Sequence, residues 1–155
     1  MPAKVPGTVL SNLVRNGVYP DPFVGLNNEC IPDIADAGPS HYTFWFCCEF
    51  AISDRQMVCT SDDRWWLQLD GVNYSLSAFL NGTSIPNEQD HGMYLHRSLD
   101  VTASLKKGTN HLALLVRPPD QYGIANGMSN TQRPLAGPRI DPAPVARPQH
   151  PSVLA

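Results

Sequence analysis

The residues with the greatest chemical capacity lie in the stretch Asp21-Pro22-Phe23-Val24-Gly25-Leu26-Asn27-Asn28-Glu29. The carboxylates of Asp21 and Glu29 accept hydrogen bonds from hydroxyl groups, and the Asn28 amide both donates and accepts them. Pro, Gly and Asn together predict a loop, where binding groups concentrate. The same stretch also suits a turn that closes a sheet and docks a neighbouring domain, and both readings stand. Trp45, Trp65 and Trp66 supply flat aromatic faces, which either stack on the apolar face of a sugar ring or pack against a neighbour. The adjacent carboxylates Asp62-Asp63 read as solvated turn residues, because successive side chains diverge and do not converge on one bond.

Other reactive groups are scattered. The four cysteines, Cys30, Cys47, Cys48 and Cys59, form no CxxC pair, and Cys47 and Cys48 would point to opposite faces of a strand. They read as buried or idle thiols. A Cys30–Cys59 disulfide stays open, since a bridge needs Cα atoms within about 7 Å. The five histidines, His41, His91, His96, His111 and His150, show no zinc-ligand spacing. No metal or cofactor is expected. Asn73-Tyr74-Ser75 and Asn81-Gly82-Thr83 fit the N-glycosylation pattern, though Asn81 is already accounted for by a turn.

The elements that must position these residues read as β. Residues 42–50 alternate, with Phe44, Phe46, Cys48 and Phe50 on one face and Thr43, Trp45, Cys47 and Glu49 on the other, the pattern of a strand packed on one side. Trp65, Leu67 and Leu69 repeat it, as do Leu76, Ala78 and Leu80, so Trp45 and Trp66 fall opposite the core faces. Asn81-Gly82 predicts a type I′ hairpin turn with Thr83 to Ile85 returning antiparallel. A further strand is predicted over about 93–99, then a single helical turn over 100–105 capped by Asp100, and a strand over 110–117 ended by Pro118-Pro119. One short helix is predicted over 8–16, with Gly17 just past its end. Short strands with turn signals between them predict an all-β sandwich.

Length and charge set the limits. A chain of 155 residues makes one ordinary domain and is too short for a complete (β/α)₈ barrel of about 250 residues. A net charge of −3, with no basic stripe, excludes a nucleic-acid partner. No run approaches the roughly 18 to 20 apolar residues of a membrane span, and the first residues carry no apolar signal region, so a soluble chain with no visible address is expected. Of the 15 prolines, eight lie in residues 118–155, where apolar residues lose all periodicity. Such a segment buries too little surface to offset its ordering entropy, so 121–155 is expected to be an unstructured tail on a domain spanning 1–120.

Several of these stretches, in order, carry a resemblance. Val5-Pro6-Gly7-Thr8-Val9, Asp21-Pro22-Phe23 with Gly25 and Asn28-Glu29, and Tyr42-Thr43-Phe44-Trp45-Phe46 are followed by Asn73-Tyr74-Ser75, Phe79-Leu80-Asn81-Gly82, Gly92-Met93, Ser98-Leu99-Asp100-Val101-Thr102 and Pro118-Pro119-Asp120. Over about residues 5–120 the chain resembles the N-terminal sugar-binding domain of glycoside hydrolase family 2, most of all that of the plant endo-β-mannosidases and the exo-β-glucosaminidases. The resemblance implies a galactose-binding-like jelly roll, and a catalytic (β/α)₈ barrel, in full-length relatives, that carries both catalytic glutamates. Retaining hydrolysis needs two carboxyl groups about 5 to 5.5 Å apart, and neither glutamate has a counterpart here, so no catalytic residue is expected.

The resemblance further implies a sandwich that lacks strands at both ends, because after Asp120 the family continues with a Trp-Asp-Trp segment where this chain has Gln121-Tyr122-Gly123. The expected function is a non-catalytic, carbohydrate-binding-like domain of a glycosidase whose relatives hydrolyse β-mannosidic bonds of glycoprotein glycans. Its substrate-facing residues would be Asp21, Asn28, Glu29, Trp45 and Trp66, and its partners a glycan or the barrel of the same chain. The alternative is a free-standing, lectin-like protein with no chemistry.

Overall fold

The computed structural model describes residues 1–54, 56, 63–88 and 90–120, together with the backbone of 152–154. Cys59, Asp62 and nearly all of the expected tail therefore lie outside the described residues.

The chain opens with helix α1, Val9–Arg15. Thr8 caps it through a reciprocal pair: its hydroxyl accepts from the Ser11 N–H at 3.0 Å, and the Ser11 hydroxyl accepts from the Thr8 N–H at 3.0 Å. Asn12 is buried within the helix and ties down the segment before it, accepting from the Lys4 N–H at 2.7 Å and donating to the Thr8 carbonyl at 2.9 Å. A short helix α2, Ile34–Ala37, and two 3₁₀ turns, Asn27–Cys30 and Pro39–Tyr42, follow. The alternating pattern had placed the first strand at residue 42. Pro39 at the head of a 3₁₀ turn delays it to Phe44.

Among the described residues seven strands make two layers. They are β1 (Phe44–Ile52), β2 (Trp66–Leu69), β3 (Ser75–Leu80), β4 (Thr83–Ile85), β5 (Arg97–Asp100), β6 (Gly108–Arg117) and β7 (Ser152–Leu154). One sheet runs β4-β3-β6-β1-β7 and the other is the pair β2-β5. The central strand β6 pairs antiparallel with β1 from Phe44↔Val116 to Ile52↔Gly108 and with β3 from Ser75↔Arg117 to Leu80↔Leu112. Antiparallel neighbours that are distant in sequence give the crossed connectivity of a jelly-roll sandwich. The three residues of β7 run parallel to β1 opposite Trp45–Cys47.

The alternation seen in the sequence is the burial pattern of the sheets. Leu76, Ala78 and Leu80 are each 1% exposed. With Ile52, Ile85, Leu99, Val101 and Leu105 they form the main core, on which Trp65, Leu67 and Leu69 close from the second layer. A second core lies at the start of β1, where Leu13, Tyr19 and Phe44 meet Val9, Leu10, Ile31 and Phe46. β1 thus spans both cores on one face. Asn81 (φ 53°) and Gly82 (φ 83°) form the left-handed hairpin turn that joins β3 to β4.

One strand is shorter than its pattern predicts. Of 93–99, only Arg97–Leu99 join β5, because Gly92 (φ 134°) and Tyr94 (φ 58°) take left-handed backbone that no ladder accommodates. The turn after β5 is as expected, with Asp100 Oδ1 accepting from the Thr102 N–H at 2.9 Å and Leu105 N–H bonding to the Val101 carbonyl at 2.9 Å.

Candidate functional site

The stretch 21–30 is a loop whose turns are closed from within. Asp21 Oδ1 accepts from the Phe23 N–H at 2.9 Å, an Asx turn, and the Asn27 side chain donates to the Asp21 carbonyl at 3.0 Å. Backbone bonds Val24 N–H to Asp21 C=O, Asn27 N–H to Val24 C=O and Glu29 N–H to Leu26 C=O carry it into the 3₁₀ turn. The Asp21 carboxylate is therefore committed to the fold of the loop, while Asn28 and Glu29 stand exposed at its far side.

Both feet of the loop are anchored. Tyr19, 5% exposed in the second core, shares a hydrogen bond of 3.0 Å with His41 Nε2. Ile31 packs on the same core and the Tyr42 hydroxyl donates to the Pro32 carbonyl. Burial raises the Tyr19 pKa. Burial, followed by the proximity of Tyr19 and Asp33, pushes Tyr42 up to about 12, so its phenol remains a donor at neutral pH. Between these feet the loop turns its apolar side chains outward, with Phe23 96%, Leu26 72% and Val24 59% exposed. Three large apolar groups thus lie exposed on one loop, beside an amide and a carboxylate.

The two tryptophans of the expected site lie elsewhere. Trp45 is on the outer face of β1, opposite the core as the alternation predicts, but it is half-buried against Phe79, with ring centroids 5.6 Å apart. Trp66 belongs to β2 in the other layer and is 57% exposed. It edges a cavity of about 170 Å³ between the layers, lined also by Phe50, Ile52, Trp65, Leu67, Leu80, Val101, Leu105 and Leu112. Apart from indole N–H groups that lining offers nothing to a sugar hydroxyl, whose burial without a partner costs free energy. The five expected residues thus occupy three separate places, and only Asp21, Asn28 and Glu29 share one.

Cys47 and Cys48 sit opposite Ala113 and Leu112 on successive positions of β1, hence on opposite faces, and both are half-buried. Burial, with a smaller contribution from Cys47, raises the Cys48 pKa and keeps the thiol protonated. Cys30 is a free, exposed thiol in the 3₁₀ turn Asn27–Cys30, so of the two expected states, buried or idle, it is not the buried one. Among the described residues no group of three His, Cys, Asp or Glu side chains is placed to hold a metal ion. No helix among them is long and apolar enough to cross a membrane.

Two buried polar residues carry no sequence signal strong enough to single them out. Asn110, 0% exposed, accepts from the Lys106 N–H and from the Asn81 amide, each at 2.8 Å, and donates to the carbonyls of Lys106 and Gly108. Its position two residues after the turn glycine is the one available hint. Asn81 completes the link, donating to the Ser104 carbonyl at 2.8 Å and accepting from the His111 N–H at 3.0 Å. Its amide is therefore tied into the fold on both sides. Arg97, 3% exposed, donates to the Gly92 carbonyl at 3.2 Å and to the Val72 carbonyl at 3.4 Å, joining two loops at one end of the sandwich.

The profile of the family described as glycosyl hydrolase 2 galactose-binding domain-like matches residues 1–148. The chain belongs to this family. The glycosyl hydrolase 2 match passes beyond residue 120 into residues outside those described. Mannosylglycoprotein endo-beta-mannosidase of Lilium longiflorum is 44% identical over 126 residues, covering 78% of this chain and 12% of that protein. The exo-beta-D-glucosaminidase of Streptomyces avermitilis is 31% identical over 118 residues, covering 76% of this chain and 12% of that protein.

Among solved structures, the Amycolatopsis orientalis exo-chitosanase superposes with a TM-score of 0.62 at 28% identity, over 77% of this chain and 13% of its own. The beta-D-mannosidase of Dictyoglomus thermophilum gives 0.58 at 26% identity, over 74% of this chain and 13% of its own. The fold is accordingly the galactose-binding-like β-sandwich of glycoside hydrolase family 2, and the chain spans about an eighth of the length of these relatives.

Proposed function

We propose that this chain is a non-catalytic, carbohydrate-binding-like domain that acts beside a catalytic barrel in the cleavage of β-mannosidic bonds of glycoprotein glycans. The observation that carries the reading is the 21–30 loop, with anchored feet, a self-closed turn and outward-facing Phe23, Val24 and Leu26 next to Asn28 and Glu29. In this reading the apolar groups seat the loop on the barrel, and Asn28 and Glu29 reach hydroxyls at the rim of its cleft. Asp21 holds the turn. Similarity to an endo-beta-mannosidase supports the substrate class.

A lectin-like protein without chemistry is the second reading, favoured by the exposure of Trp66. The apolar lining beside that ring weighs against it. Titration of the chain with mannose-containing oligosaccharides separates the two. The domain reading expects no saturation at millimolar sugar. Saturable binding that is lost in Trp66→Ala would overturn it in favour of the lectin.

A further inference from the structure

Asparagine followed by glycine is prone to spontaneous deamidation, because glycine puts no side chain in the path of its own backbone nitrogen. The chain has three such pairs, Asn16-Gly17, Asn81-Gly82 and Asn126-Gly127, the last outside the described residues. In the reaction the glycine nitrogen gives up its proton and attacks Cγ of the asparagine, and ammonia leaves. Water then opens the succinimide to aspartate or isoaspartate. The side-chain amide must be free to turn toward that nitrogen.

The two described pairs hold the amide differently. Asn81 is fixed at both ends: Oδ1 accepts from the His111 N–H at 3.0 Å, and Nδ2 donates to the Ser104 carbonyl and to Asn110 Oδ1, each at 2.8 Å. Its own N–H donates to the His111 carbonyl at 2.9 Å, so main chain and side chain are clamped to one residue of β6. Asn110 behind it is fully buried, with its amide nitrogen bonded to the carbonyls of Lys106 and Gly108. Asn16 is fixed at one end. Its Nδ2 donates to the Pro2 and Asn12 carbonyls at 2.9 and 2.7 Å, while its Oδ1 accepts from no group among the described residues.

We propose that Asn81 is a modification site closed by the fold: deamidation there runs through molecules whose β3-β4 hairpin has opened, and its product no longer fits the native turn. The second half follows from a count of donors. A carboxylate only accepts, so at residue 81 it would face the Ser104 carbonyl and Asn110 Oδ1 with no proton between them, which costs stability. Isoaspartate does more. It adds a main-chain carbon to the turn that pairs Leu80 with Thr83, and loop length sets the register of a hairpin. An opening that outlasts the reaction thus removes a molecule from the folded pool irreversibly.

The full chain is incubated in mildly alkaline buffer, with and without denaturing guanidinium chloride, and deamidation at each pair is read from peptide masses after digestion. In denaturant Asn16, Asn81 and Asn126 should react at similar rates. Without it Asn81 should slow roughly a hundredfold or more, and by a larger factor than Asn16, because the reaction waits for local opening. Asn81→Asp reproduces the product in a residue that also tolerates left-handed backbone. It should fail to fold or melt at least about 5 °C below the parent. A rate at Asn81 in the native chain within about threefold of the denatured rate overturns the proposal. So does equal slowing at Asn16 and Asn81, or an Asn81→Asp chain that melts with the parent.

Discussion

The loop at 21–30 and the pair of turns built on Asn81 and Asn110 are made from similar residues, yet they spend their polar groups in opposite directions. The turns direct amides inward. Asn110 is completely buried and every polar atom of its side chain has a partner. The loop directs Asn28 and Glu29 outward and adds three large apolar side chains to its exposed surface. Polar groups satisfied within the chain serve the fold, whereas polar and apolar groups left on an anchored loop are free to serve a contact. Composition alone does not separate the two cases; the destination of each hydrogen bond does.

The sharpest way to break this contrast is Asn110→Ala. It strips partners from the Lys106 N–H, from the carbonyls of Lys106 and Gly108 and from the Asn81 amide, and should cost about 2 to 4 kcal/mol in urea unfolding, or roughly 10 °C in Tm. Asn81→Ala removes the one link it shares with Asn110 and also the bonds to the Ser104 carbonyl and from the His111 N–H, and it puts alanine, which tolerates left-handed backbone less well than asparagine, at φ 53°, for an expected loss of about 1 to 3 kcal/mol. Asp21→Ala opens only the Asx turn at the base of the loop and should cost about 0.5 to 1 kcal/mol in the same measurement.

Phe23→Ser tests the opposite side of the comparison. With 96% of the ring already in solvent, stability should move by less than about 0.5 kcal/mol, while retention on a hydrophobic-interaction column should fall. The smallest expected effect is with pH. Asp100 is held below the usual carboxylate range, first by hydrogen bonding to Thr102 and then by Arg64 at 2.8 Å. Because the folded value is the lower one, its contribution is present above the ordinary Asp range and is lost as pH falls through the folded value. The acid limb of a Tm-against-pH curve should therefore flatten slightly in Asp100→Asn.

Much of the sandwich is legible in the sequence because its signals are local. Alternation placed Leu76, Ala78 and Leu80 in the core, Asn81-Gly82 marked a turn, and Thr8 to Asn16 held a helix. Met93 to His96 misled, since the residues there favour a strand while Gly92 and Tyr94 turn the backbone left-handed. Nothing in the local sequence marks Arg97 for burial. Its burial depends on carbonyls supplied by Val72 and Gly92, partners that only the fold assembles. The candidate loop was readable as a loop with acceptors, but its anchoring through Tyr19, His41, Tyr42 and Pro32 joins segments whose spacing carries no pattern. The half-burial of Trp45 against Phe79 depends in the same way on a neighbour two strands away.

The proposed role has the chain supply contacts and no bond-breaking groups. Incubating the purified protein with a chromogenic β-mannoside tests it most directly. No release of the chromophore above the buffer rate is predicted, in the parent chain and in Glu29→Gln alike. Release that rises in proportion to protein concentration and persists in Glu29→Gln would contradict it.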